Sequence, residues 1–148
     1  MLLKSINDHI ATITLNRPEL HNAFDDQLIQ QLTTELEKID KDSSIRVVIL
    51  AANGKNFCAG ADLNWMKKMA DYSHAENLKD SLALAHLMKT LNTLSKPTIA
   101  LVQGPAFGGG VGLIACCDIA IANLKASFCL SEVKIGLAPA VISPYVIA

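Results

Sequence analysis

Residues 98 to 124 read TIALVQGPAFGGGVGLIACCDIAIANL, and this stretch decides the fold. Thr98 to Val102 is a run of aliphatic and β-branched residues that predicts a strand. Gly104 to Gly110 then reads as a tight turn, Val111 to Cys117 as a helix of small residues, and Ile119 to Ala122 as the next strand. Dense as it is in apolar residues, the stretch fails as a membrane span. Gln103, Pro105, three consecutive glycines and Asp118 cut it into pieces too short for the roughly 20 continuous apolar residues a bilayer requires.

Working outward, the same alternation repeats. Ile10 to Leu15 interleaves threonine with aliphatics as a strand does, and Asn16-Arg17-Pro18 ends it. Asp25 is placed to cap a helix in which Leu28, Leu32, Leu36 and Ile39 form one apolar stripe. Val47 to Leu50 predicts a short strand covered on both faces, closed by Asn53-Gly54. From about Ala75 to Leu94 a second helical stripe runs through Leu78, Leu82, Ala85, Met88 and Leu91 until Ser95-Lys96-Pro97 stops it. Strand, helix, strand, helix is the order of an α/β fold, with the loops after the strands as functional ends. No linker or short repeat divides residues 1–148, so one domain is expected.

Composition excludes several classes of function. The 148 residues are 51% hydrophobic and 18% charged, against roughly a quarter charged in an average soluble domain, which excludes a disordered chain. So little charge also leads us to expect that part of the surface is covered by further copies. A net charge of −1, with no basic stripe and no interleaved aromatics, argues against nucleic acid or an anionic membrane as partner. The start, MLLKSINDHI, lacks the plan of a secretory signal, so a cytoplasmic protein is expected. Cys58, Cys116, Cys117 and Cys129 lie in apolar runs without a CxxC, and the four histidines have no ligand-like spacing, so buried thiols are expected and no metal.

Chemistry is sought where glycines cluster. The segment from Gly104 to Gly112 contains no Gly-Lys-Ser/Thr of a phosphate loop, Leu113 replaces the last glycine of a GxGxxG, and no GxSxG occurs anywhere. What remains is backbone able to approach a ligand closely, at a helix start whose free N–H groups suit an oxyanion. A second such turn is Phe57-Cys58-Ala59-Gly60-Ala61-Asp62. If the amides of Ala61 and Gly109 converged on one carbonyl they would stabilise the charge developing there, each donor by about 2.7 to 4 kcal/mol. The plainer reading of both segments is tight turns and close helix packing. Asp62 and Asp118 read as holders of backbone amides or cations, and Lys55, Lys67 and Lys68 as surface charges.

FCAGADL (57–63) and GPAFGGGVGLIACCDIAIA (104–122) resemble the two signature segments of the enoyl-CoA hydratase/isomerase, or crotonase, family. NRPELHNAF (16–24) and SFCLSEVKIGLAP (127–139) resemble its other landmarks, and LSEVKIGLAPAVISPYV resembles the methylglutaconyl-CoA and carboxygeranoyl-CoA hydratase branch. The resemblance implies a crotonase-like spiral of ββα units and a coenzyme A thioester whose carbonyl sits between the amides of Ala61 and Gly109. It implies that Glu19, Leu20, His21 and Ala23 border the coenzyme, together with Ala59, Gly60, Ala61, Asp62 and Leu63. No separate cofactor is implied, because coenzyme A belongs to the substrate. The assembly implied is a homo-oligomer, a trimer or hexamer.

The family pattern places one glutamate three residues after the central glycine of GGG and a second in the later segment. Here Gly112 stands at the first position, and Glu132 matches the second. By itself Glu132 reads as a first-turn acid after a Ser131 cap; the resemblance makes it the catalytic acid and base. Hydration of a short or branched 2-enoyl-CoA such as 3-methylglutaconyl-CoA is the activity implied. Isomerisation of the double bond, which one glutamate can perform, is the alternative. Family members continue into a C-terminal helical segment, and Val141 to Ala148 ends without a cap or polar tail. A truncated, inactive remnant is therefore a third expectation.

Overall fold

The computed structural model describes the whole chain, Met1–Ala148. Its strands are β1 (Leu2–Asn7), β2 (Ile10–Leu15), β3 (Val47–Ala52), β4 (Thr98–Val102), β5 (Ala106–Phe107), β6 (Ile119–Ala122) and β7 (Phe128–Cys129). Its helices are α1 (Asp26–Lys41), α2 (Leu63–Met69), α3 (His74–Asn92), α4 (Gly109–Ala115) and α5 (Ser143–Ile147), with 3-10 turns at Pro18–Leu20 and Ser131–Ile135. Five strands form one sheet in the order β1-β2-β3-β4-β6, while β5 and β7 pair separately. All neighbours are parallel except β1 and β2. This is the α/β architecture that the alternation predicts.

Sequence chemistry explains the main elements. Asp25 caps α1 by accepting from the Leu28 amide at 2.9 Å, and Leu28, Ile29, Leu32, Leu36 and Ile39 turn inward. They meet Ala11, Ile13 and Leu15 of β2, Val48 and Leu50 of β3, and Leu87, Met88 and Leu91 of α3 in one apolar cluster. A capping box between Ser73 and Glu76 starts α3. At the far end of β4, Asp118 accepts from the Thr98 amide and hydroxyl at 2.7 and 2.8 Å, which ties β4 to the start of β6.

Four expectations are corrected. β3 is covered on one face only: Val48 and Leu50 are buried, whereas Val47 and Ile49 are half-exposed, because both helices lie on the same side of the sheet. The apolar stripe of α3 reaches the core only in its C-terminal half, and Leu78 and Leu82 are 50% and 59% exposed. The helix expected from Val111 begins at Gly109, so the glycines form its first turn. Finally, β1 is a strand that the pattern did not announce. It joins β2 through Asp8 and His9, both at positive φ (47° and 66°), a hairpin turn made without glycine.

At the other end of the sheet, β6 is exposed along its whole length, with Ile119 and Ile121 at 52% and 57%. The last residues fold back. Ile142 is buried, Tyr145 packs against the core, and Ile147 stays in solvent.

Candidate functional site

The two glycine turns meet although about fifty residues separate them. An isolated parallel bridge pairs Cys58 with Ala106, and the Phe107 amide donates to the Cys58 carbonyl at 2.9 Å. Gly60 (φ 85°) passes so close to the second turn that a Cβ there would lie 3.0 Å from the Phe107 carbonyl oxygen. A Cβ at Gly110 would lie 2.7 Å from the Cys58 oxygen, and one at Gly109 would enter the Phe24 ring at 2.7 Å. Close contact with backbone at Gly60 and Gly110, and with the Phe24 ring at Gly109, leaves no room for a side chain, and the approach of the two turns brings their amides to one cleft.

A polar network holds this junction from behind. Asn22 is fully buried; its side-chain nitrogen donates to the Asn53 and Asn56 carbonyls at 2.7 and 3.0 Å, and its oxygen accepts from the Arg17 amide at 2.8 Å. The Arg17 guanidinium pairs with Asp25 at 2.7 Å and reaches Asp62 at 3.7 Å. Asp62 caps α2 through the Asn64 and Trp65 amides at 2.7 and 3.2 Å. Residues 21–24 run beside residues 59–62: the Ala59 amide donates to His21, Phe24 donates to Gly60, and Asp62 donates to Phe24. Sequence reasoning passed over Arg17 and Asn22, although both lie in the NRPELHNAF segment; Asn22 stands at φ 55°, a conformation asparagine tolerates better than most side chains.

The cleft has a volume of about 530 Å³. Ala59, Gly60, Ala61 and Leu63 line it, together with Gly108 and Gly109, Glu132 and residues 137–142. Neither the Ala61 amide nor the Gly109 amide donates to a protein acceptor. The Glu132 carboxyl lies against Gly108, whose Cβ would be 2.8 Å from Oε1. Its Oε2 is shielded from solvent and has no hydrogen-bond partner. Glu132 is the one carboxylate among the lining residues, and Lys134 the one cation. Ser131 does not cap the turn that carries Glu132; it is the first residue of that 3-10 turn, and Leu130, which holds the capping position, has no polar side chain to make the bond.

The remaining candidates sit around the cleft. Ala59, Gly60, Ala61 and Leu63 line it, whereas Glu19, Leu20, His21, Ala23 and Asp62 do not. Glu19, Leu20 and His21 are exposed in and just after the first 3-10 turn, beside the loop that carries Ala59, and Ala23 is buried. Lys55, Lys67 and Lys68 are exposed. Cys58 lies beneath both turns, and burial pushes its thiol up to about 12. Cys116 is raised to about 12 by the same cause. All four cysteines are unpaired, nowhere do three His, Cys, Asp or Glu side chains gather as a metal would need, and no helix is long and apolar enough to cross a membrane.

Comparison with known proteins matches the chain at residues 5–147 to the family model described as enoyl-CoA hydratase/isomerase. A Legionella pneumophila protein described as an enoyl CoA hydratase/isomerase (crotonase) superposes on it with a TM-score of 0.96 at 55% identity, over 99% of this chain and 56% of that one. The 2,3-dehydroadipyl-CoA hydratase of Escherichia coli is 38% identical over 93% of this chain and 52% of its own length. The 1,2-epoxyphenylacetyl-CoA isomerase of the same organism is 36% identical over 93% of this chain and 53% of its own. The chain spans about half the length of the curated relatives it matches. On the match from residue 5 to 147 and the superposed fold, the chain belongs to the enoyl-CoA hydratase/isomerase family, with the crotonase fold.

Proposed function

We propose that this chain binds a coenzyme A thioester and adds water across the double bond of a short or branched 2-enoyl-CoA such as 3-methylglutaconyl-CoA. One observation carries the reading: two amides without protein acceptors, those of Ala61 and Gly109, line the same cleft as a shielded carboxyl oxygen of Glu132 that also lacks a partner. The thioester oxygen accepts from both amides, which stabilise the enolate-like charge as it forms. Glu132 takes a proton from water as the water oxygen bonds to the β-carbon, and the carboxyl returns a proton to the α-carbon. The sum is one water added, with no electron carrier and no cofactor beyond the coenzyme in the substrate. Ala59 to Leu63 flank the coenzyme, with Glu19, Leu20, His21 and Ala23 behind them.

A second reading, double-bond isomerisation, is favoured by Gly112, which supplies no second carboxylate. Glu132 would then carry a proton from one carbon to another. Exposed Ile119, Ile121 and Leu124 support assembly into a homo-oligomer, a trimer or hexamer. Four unpaired thiols support a reducing, cytoplasmic setting.

Incubating the purified chain with 3-methylglutaconyl-CoA and with a 3-enoyl-CoA, and weighing the products, tests the proposal. A gain of water from the first is expected. Bond migration without mass change in the second would replace hydration by isomerisation, and no product from either in a folded sample would overturn both.

A further inference from the structure

Gly112 stands one helical turn beyond Gly109 in α4, and its missing side chain is accounted for by one neighbour. A Cβ at 112 would lie 2.3 Å from Ile142 Cγ2, 2.9 Å from Ile142 Cβ and 3.3 Å from Met88 Cε. The first two separations are closer than non-bonded carbons come. Ile142 has little freedom to yield. It is 2% exposed, its β-branch restricts χ1, its amide donates to the Pro139 carbonyl at 3.3 Å, and its carbonyl accepts from Tyr145 and Val146 at 3.0 and 3.1 Å. Any side chain at 112 would have to displace it.

Ile142 also lines the cleft, at the end of a wall otherwise made by Leu137, the small side chains of Ala138 and Ala140, Pro139 and Val141. The volume beside α4 that a longer side chain or ligand could enter is thus occupied by a branched hydrocarbon. We propose that Ile142 is a specificity-determining residue: filling the space in front of Gly112, it closes the acyl end of the cleft, leaves Glu132 as its single carboxyl group and selects a short acyl chain. This rests on the thioester reading above and adds the residue that limits the acyl group.

The experiment uses saturated thioesters, which bind without reacting. Dissociation constants of butanoyl-CoA, octanoyl-CoA and free coenzyme A are measured on the 148-residue chain and on its Ile142→Val, Ile142→Ala and Gly112→Ala/Ile142→Ala variants. Ile142→Ala removes three carbons from the wall, so the preference for octanoyl-CoA over butanoyl-CoA rises roughly tenfold or more. Ile142→Val moves it the same way by less, and refilling the space with Gly112→Ala reverses part of the gain. An unchanged preference in a variant that still binds free coenzyme A as the parent does would overturn the specificity role. Absence of binding to all three by the parent would instead overturn the thioester reading and, with it, the role. Urea unfolding reads the contact itself: Gly112→Ala is expected to lower the midpoint far more in the parent than in the Ile142→Ala background, and equal shifts would overturn the packing argument whatever the affinities.

Discussion

Asn22 and Glu132 each have polar side-chain atoms closed off from solvent, on opposite sides of the same junction, and the fold treats them in opposite ways. Asn22 spends both amide hydrogens and its oxygen on three backbone groups, two from the loop at 53–56 and one from Arg17. Glu132, whose side chain lines the cleft, leaves Oε2 shielded and with nothing to bond. An unsatisfied buried polar atom costs about 1 to 3 kcal/mol; of the four such atoms in the chain, on Trp65, Asp80, Gln103 and Glu132, only that of Glu132 belongs to a residue lining the cleft, where a ligand can supply the partner. The difference separates a residue that builds the junction from one that uses it, and it yields four measurable consequences.

Replacing Glu132 by Gln is expected to lower turnover by about 10² to 10⁴-fold while the urea midpoint stays near that of the parent. A large fall in stability would make Glu132 a second Asn22 and dissolve the contrast. Asn22→Leu keeps the number of side-chain heavy atoms but strands two carbonyls and one amide and places a bulkier residue at φ 55°, and is expected to cost about 3 kcal/mol or more in unfolding free energy. A variant as stable as the parent would show that water replaces those bonds. Gly109→Ala drives a methyl into the Phe24 ring, with an expected loss of about 1 to 3 kcal/mol; Phe24→Leu in the same chain should recover part of it, as urea titrations would show.

The smallest effect concerns Cys58, a buried polar group of a third kind that stays neutral. Its folded thiol titrates at about 12 against a reference of 9.0. Below pH 9 the thiol is protonated in both states and stability is whole. Above pH 9 the unfolded chain releases the proton and the folded chain does not, so stability falls until about pH 12. By pH 10 the loss from Cys58 is about 1 kcal/mol, and Cys58→Ala should make that limb of the pH–stability curve shallower, with Cys116 and Cys117, raised in the same way, supplying the remainder.

How much of this was legible in the sequence depends on distance along the chain. Local signals are reliable: Asp25 as a cap, the stripe from Leu28 to Ile39, and the Ser95-Lys96-Pro97 stop all stand where the pattern puts them. The glycine turns were legible as turns, because Gly60 and Gly108 take positive φ that other residues avoid. Burial was harder to read. Leu78 and Leu82 keep helical spacing yet nothing lies over them, since a stripe states which face is apolar and not what covers it. β1 was missed because its turn uses Asp8 and His9 instead of a glycine pair. The close packing of Ile142 over Gly112 was beyond reach, for it exists only once the chain before α5 folds back on α4.

The bridging of Phe24 to Ala61 and of Cys58 to Ala106 has a kinetic consequence. The cleft draws its walls from five stretches spread between residues 24 and 142, and no pair of neighbouring elements contains enough of it to be useful. Chain closure over such separations is slow, and parallel pairing gives no early reward along the way. The cleft is thus expected to be among the last features to assemble.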